Sequence, residues 1–458
     1  MFIQSNPGAH RIIASEPGFL IPHLIKYSYI EIKNPSNLTI LLEIFAELTC
    51  SEDIIDYLLE EKILSILCDI LISDNPDDIK CKSLTILHHI ASKGESYCFK
   101  QFEEVQLASD PSRRASPIQC VIYVIDEQST GKSNAEFPEL QAYLCSPDAR
   151  QFATDEDNVR LQKLCLKFLT ALVSKKQLPY NSLLSEILEH IVKCTFIREP
   201  SIRHISLYSC IDCSENYFDY FSNFFKKYSC YTHFINLLVA DQVLVSEDKA
   251  NILYIFQSIL SNNPQETETF LRLNFVSDVH DYIDNPQNNI SIQEQIVWCG
   301  ILTLLLEFPI EYHPNYNLVE MYLELGIVDI MYFRICEGSI RIKMEALLLF
   351  NQLIKCDNEI LGVFDEKCPL LFENAIEIAE CDNVDRDALI ETLNIVETLI
   401  KHLMDNQEFE RIQAVVEENC FENALCEIID QMPISVSVKA KRVLSLLQDD
   451  EAPEDEEM

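Results

Sequence analysis

Glycine is scarce in this sequence, with eight residues in 458. Tight-turned sheets and glycine-rich phosphate loops both draw on glycine's freedom to adopt positive φ, so neither is well served here. A composition of 48% hydrophobic and 24% charged residues suits a packed helical protein instead. Basic residues are scarce as well: 35 Lys and Arg face 74 Asp and Glu, for a formal net charge of −39. That argues against direct nucleic-acid or anionic-membrane binding, which displaces counterions with basic surface, and favours basic proteins or peptides as partners. Long apolar runs are missing too. The longest, IVWCGILTLLL at 296–306, falls well short of the ~20 residues of a membrane span. Nor does the opening MFIQSNPGAHRIIAS show the charged-then-apolar order of a signal peptide. The 18 cysteines are therefore expected as reduced, buried thiols of an intracellular protein.

What is present is repetition. A chain this long exceeds the ~250–300 residues at which one core stops growing, so it is either several domains or an extended array. From Asn37 onward a short helix, a longer apolar helix and a helix of roughly 15 residues recur, separated by Asn, Asp, Pro and Ser turns. Third helices are expected to begin near Leu38, Ile79, Leu161, Ile202, Ser246, Ile292, Ile342, Val384 and Val436. Four positions on stand Leu42, Ser83, Cys165, Ser206, Ala250, Ile296, Ala346, Ala388 and Ala440, of which seven are small. A small residue at a fixed position lets neighbouring helices approach closely enough to stack.

Three helices in about 42 residues is the armadillo pattern, an all-α, right-handed α-solenoid whose third helices line a concave groove. Nine or ten repeats fill residues 31–448. Residues 107–157 fit worst, with the polar, turn-rich stretches LASDPSRRASP and EQSTGKSNAEFPELQAYLCSPDARQFATDEDN, and are expected as long loops or a degenerate repeat. Residues 449–458, DDEAPEDEEM, are expected to form an acidic disordered tail.

At this point the sequence resembles importin α, the armadillo adaptor for basic nuclear localisation signals. Residues 292–304, IQEQIVWCGILTL, share the opening and the tryptophan of that family's third helices. ELGIVDIMYF, 324–333, looks like its glycine-containing entry to the second helix. VVEENCFENALCEIIDQMPISVSVKAKRVLSLL, 415–447, resembles its final repeat. The resemblance implies nuclear import, presence in cytoplasm and nucleus, and transport receptors as partners. It also implies arrayed Trp and Asn that bind the signal peptide. Here the Trp position reads Ile44, Thr85, Lys167, Tyr208, Ile252, Trp298, Leu348, Ile390 and Arg442, and the Asn position Leu48, His89, Ala171, Asp212, Phe256, Leu302, Gln352, Asn394 and Leu446. The family's basic importin-β-binding arm has no counterpart, since residues 1–30 hold only Arg11 and Lys26. From the family positions come Trp298, Gln352 and Asn394 as peptide contacts. Helix spacing and net charge add Glu294, Glu345 and Glu391. Trp298 either lines the groove, where its indole face would hold a Lys or Arg side chain, or fills the core.

Catalytic chemistry leaves little trace. STGKSN, 129–134, has Asp126 where a phosphate loop needs glycine. Cys210 and Cys213 form a C-x-x-C without a second pair, and adjacent His88 and His89 diverge by about 100° on a helix. No nucleophile elbow or metalloprotease pair occurs. A non-enzymatic, monomeric binding protein without cofactor or metal is expected, with a general armadillo scaffold for a folded or helical partner as the alternative to an import adaptor. In SRRASP, 112–117, Arg113 and Arg114 precede Ser116 in the order basic-directed kinases read, so Ser116 is either a phosphorylation site or a chance match.

Overall fold

A computed structural model describes residues 17–31, 34–93, 102, 105–106, 114–130, 156–175, 182–197, 199–240, 244–307, 317–381 and 384–448. These form 24 α-helices, a single 3-10 turn and a ladder of two residues per strand, β1 (Val105–Gln106) against β2 (Arg114–Ala115). The chain divides into two compact units, residues 1–231 and 232–458.

The first unit opens with α1 (Pro17–Glu31), which packs on α2 (Pro35–Leu48) through the buried Ile21 and Ile25. It continues with α3 (Glu52–Glu60), α4 (Ile63–Ile72), α5 (Asp77–Lys93), α6 (Pro117–Thr130), α7 (Glu156–Ser174), α8 (Ser182–Cys194), α9 (Pro200–Asn216) and α10 (Phe218–Lys227). The boundary falls within α11 (Cys230–Ala240). The second unit then runs α12 (Ser246–Asn262), α13 (Thr267–Arg272), α14 (Phe275–Asp284), α15 (Ile292–Glu307), α16 (Leu318–Glu324), α17 (Ile327–Glu337), α18 (Ile340–Cys356), α19 (Ile360–Lys367), α20 (Leu371–Ala379), α21 (Arg386–Asp405), α22 (Phe409–Glu418), α23 (Phe421–Gln431) and α24 (Ile434–Gln448).

Both units repeat one theme. The long third helices lie in file: α2, α5, α7 and α9 in the first unit, and α12, α15, α18, α21 and α24 in the second. Each of α18, α21 and α24 also rests on its own second helix, α17, α20 or α23. The small residues sit where the helices meet, and Ser83, Cys165, Ser206, Ala346 and Ala440 are wholly buried. The two hydroxyls among them are satisfied: Ser83 donates to the Ile79 carbonyl (3.1 Å) and Ser206 to the Ile191 carbonyl of α8 (2.5 Å).

Five of the turns that join a first helix to a second hold one residue in the left-handed region: Lys62 (φ 65°), Ser229 (53°), Asn274 (55°), Gly326 (75°) and Cys420 (52°). Only one of the five is glycine, within the stretch 324–333. The other four side chains are held there at roughly 1–2 kcal/mol each, which is how a chain of eight glycines makes so many tight turns.

Within residues 107–157, expected as long loops or a degenerate repeat, lies the 14-residue helix α6, while the tail 449–458 and the GKS stretch around Gly131 lie outside the described residues. The structure corrects the phase of two third helices. Ile79, Ile202, Ile342 and Val436 are each the third residue of their helices, but Ser246 and Ile292 are the first of α12 and α15. In those two helices the register is two residues out, which is about 200° around the axis.

Candidate functional site

The phase error decides where Trp298 lies. It is wholly buried, facing Phe275 of α14 edge-on with ring centroids 5.8 Å apart. Phe270 and Phe256 continue the same aromatic cluster. Counted from the start of its helix, Trp298 occupies the place of Ala346 and Ala440, and Ile252 does the same in α12. Trp298 is therefore core, not groove. No lysine or arginine stem can reach an indole with no exposed surface.

Glu294 is equally inaccessible. Ser291 and Glu294 form a capping box at the start of α15: the Ser291 amide donates to Glu294 Oε2 (2.9 Å) and the Glu294 amide to Ser291 Oγ (3.2 Å). The hydroxyls of Ser291 (2.6 Å) and Ser246 (2.5 Å) donate to the same Oε2, and Tyr282 donates to Oε1 (2.6 Å). Burial, reinforced by this carboxylate, holds the Tyr282 hydroxyl protonated far above its ordinary range. Glu294 is thus a bracket joining α12, α14 and α15, and not a peptide contact.

What surfaces on α12 and α15 instead is the line two residues on. Tyr254 of α12 is half-buried and accepts a hydrogen bond from Gln293 Nε2 of α15. Gly300 is covered by Gln257, whose carboxamide a Cβ at Gly300 would strike. Polar side chains of adjacent helices have closed over this stretch of the face.

Further along the second unit the face opens. Glu345, Gln352, Glu391 and Asn394, all expected as contacts, are half-buried on α18 and α21. Burial pushes the Glu345 carboxyl up, against the opposing charge of Arg341. Glu391 already has a cation: its Oε2 accepts from Lys355 Nζ (3.0 Å) and from Asn351 Nδ2 (2.5 Å). Partial burial works to raise its carboxyl, but Lys355, with the Asn394 and Asn351 amides, outweighs it and holds the carboxyl below the usual range.

Next to it lies a cluster the sequence reading missed. The side chain of Glu397 is only 6% exposed and takes three cations: Lys401 Nζ (2.5 Å), Lys439 Nζ (3.0 Å) and Arg442 Nε (2.8 Å). Burial works to raise the Glu397 carboxyl, and the ammonium groups of Lys401 and Lys439 bring it below the ordinary value. Arg442, 60% exposed, stands in the family's Trp position. The spacing Glu397/Lys401 was the available signal.

In the first unit the face is also mixed. Lys167 and Tyr208, in the Trp positions of α7 and α9, are exposed. Thr49 Oγ1 lies 3.1 Å from His89 Nδ1, Lys82 pairs with Asp78 (3.0 Å) and Glu43 (3.6 Å), and Ser174 donates to Asp212. Burial lowers the pKa of both His88 and His89, and each is lowered further by a neighbouring charge.

Composition lends an acidic groove no support on the third helices. Together the nine carry 17 Asp and Glu against 16 Lys and Arg, a net of −1, where the chain carries −39. Nearly all the excess negative charge therefore belongs to the rest of the chain.

Ser116 is also accounted for. It is buried at the N-terminus of α6, where its hydroxyl donates to the Phe102 carbonyl (2.9 Å) and accepts from the Gln119 amide (3.4 Å). A kinase could not reach it without unfolding that cap, so the phosphorylation reading is withdrawn. Burial pushes the thiols of Cys210 and Cys213 well up. Among the described residues, no group of three His, Cys, Asp or Glu could hold a metal and no helix is long and apolar enough to cross a membrane.

No protein-family model matches the sequence, and no curated protein matches it. Among solved structures, an engineered protein from a structural-genomics consortium is similar with a TM-score of 0.54 at 12% identity, over 93% of this chain and 98% of its own. A designed armadillo repeat protein is similar with a TM-score of 0.42 at 12% identity, over 57% of this chain and 99% of its own. With three helices per repeat and the third helices in file, the chain is an all-α repeat protein of armadillo type.

Proposed function

We propose that this chain is a non-catalytic scaffold that holds another protein along the third-helix faces. The carrying observation is the separation of charge: the third helices are nearly neutral and present Gln352, Asn394, Lys355 and Arg442, while the remaining helices and connections hold the negative excess. Mixed hydrogen-bonding side chains on a near-neutral surface suit a specific protein segment, and a strongly charged remainder keeps the rest of the molecule soluble and free of unspecific contacts. A photo-cross-linking residue placed at Gln352 or Asn394 should yield covalent adducts with partner proteins, and one placed at Glu366 or Glu427 should not. Equal yields from both sets would contradict the reading.

Nuclear import of basic cargo, with traffic between cytoplasm and nucleus, is a narrower form of this reading. The observation favouring it is that Asn394 stands half-exposed beside Glu391 in the place of the family's asparagine. A lysine-rich peptide would have to displace Lys355 from Glu391. Isothermal titration tests this directly: binding must occur and must weaken in Glu391→Gln and Asn394→Ala, and its absence removes the import reading while leaving the scaffold.

A further inference from the structure

We propose that the seam between α21 and α24 is a docking surface for an acidic, partly apolar protein segment. This rests on the scaffold reading above and gives it a partner chemistry opposite to the one net charge suggests.

Three cations meet here: Lys401 from α21 and Lys439 and Arg442 from α24, a helix with no carboxylate of its own. Among the described ion pairs their one carboxylate is Glu397, with both oxygens engaged and 6% of its side chain exposed. Its role is to gather the cations, and it leaves two positive charges in excess, while Lys441 is exposed about one turn past Val438 on the same helix. The heads remain accessible: the side chains of Arg442, Lys401 and Lys439 are 60%, 46% and 23% exposed. Arg442 meets Glu397 through Nε (2.8 Å) with 60% of its side chain exposed, which leaves its guanidinium able to take a further carboxylate.

The same helix supplies an apolar half. Ile434 and Val438 are 83% and 60% exposed and precede Arg442 by two turns and one. Apolar side chains left bare beside cations are matched by a segment that alternates carboxylates with Leu- or Ile-like residues. Nucleic acid fits less well, because a polyphosphate continues past the patch onto a protein of net charge −39, where it is repelled. A short acidic segment can end within the patch.

The test uses the full chain and a fluorescein-labelled synthetic peptide of alternating Glu and Leu, followed by anisotropy. Binding should fall as salt rises, and Lys441→Glu, which lies outside the Glu397 cluster, should weaken it about three- to tenfold with an unchanged melting temperature. Glu397→Gln should strengthen it by a similar factor, because it releases the cations; a merely structural Glu397 would not do so. Absence of binding by the wild type, or unchanged affinity in both variants, overturns the proposal. So does competition by a polyuridine oligonucleotide at equal concentration, which would assign the patch to nucleic acid. Cross-links to partner proteins from Gln352 with no peptide bound at the seam would sink this inference and leave the scaffold standing; loss of both would sink both.

Discussion

Helices α15 and α24 belong to one unit and one repeat type, yet they treat the same register position in opposite ways. Nine residues past the residue that precedes each helix stand Gly300 in α15 and Arg442 in α24. Gly300 is sealed under Gln257, and Arg442 reaches solvent from an ion cluster. Two residues earlier the contrast reverses in size, with Trp298 in α15 and Ala440 in α24, both wholly buried. Bulk placed inward at α15 goes with a closed face, and a small inward residue at α24 goes with an open, charged one. A third-helix face is thus no uniform groove, and a family motif does not by itself confer access.

The comparison breaks most visibly at Trp298. Trp298→Ala should cost about 3–5 kcal/mol in chemical denaturation, the range for emptying a large aromatic site in a core, whereas a groove tryptophan would cost little. Glu294→Gln should follow at roughly 2–4 kcal/mol, because the carboxamide keeps only one of the two oxygens that accept from Ser246, Ser291 and Tyr282 and faces the remaining donors with an NH2 group. Ala346→Leu, which forces bulk into the place Trp298 fills in α15, should cost about 1–3 kcal/mol through overpacking; no cost would mean that α18 tolerates the α15 arrangement.

Smaller effects sharpen the electrostatic side. Glu397 titrates below the ~4.3 of an unfolded glutamate, so its cluster stabilises the fold at neutral pH and that contribution disappears as pH falls through the folded-state value. Solvent screening at Lys401 and Arg442 limits it to about 1 kcal/mol. Glu397→Gln should therefore be less stable than wild type at pH 7, and the two curves should converge as pH falls below the ordinary glutamate range. Smallest are the turns. Asn274→Gly should stabilise by up to ~1 kcal/mol, and Gly326→Ala should destabilise by a similar amount, since both positions are left-handed.

The repeat period, the helix triplets and the buried Ser83, Ala346 and Ala440 were legible in the sequence because amphipathic third helices carry their own phase. Helix α15 does not. IVWCGIL is apolar on every side, and seven consecutive residues from Ile296 are buried, so hydrophobicity gives no direction and aligning on Ile292 slipped the register by two. The capping box Ser291/Glu294 held the missing information: Ser291 precedes α15 as Ser339 precedes α18, and counting from those residues places Gly300 opposite Leu348. The same spacing marks Glu294 as a cap and not as the peptide contact expected from net charge. The Glu397 cluster was harder to see, since its cations arrive from 42 and 45 residues further along the chain and only the packing of α24 on α21 brings them together.

Trp298 is the sole tryptophan of the chain, so its fluorescence reports this one position. With the indole sealed against Phe275 and α15 closed, emission in the native protein should be blue-shifted and resistant to iodide, becoming quenchable only on unfolding. Native emission at the wavelength of free tryptophan, readily quenched by iodide and protected by a bound peptide, would place the indole in an open groove and contradict the closed face at α15.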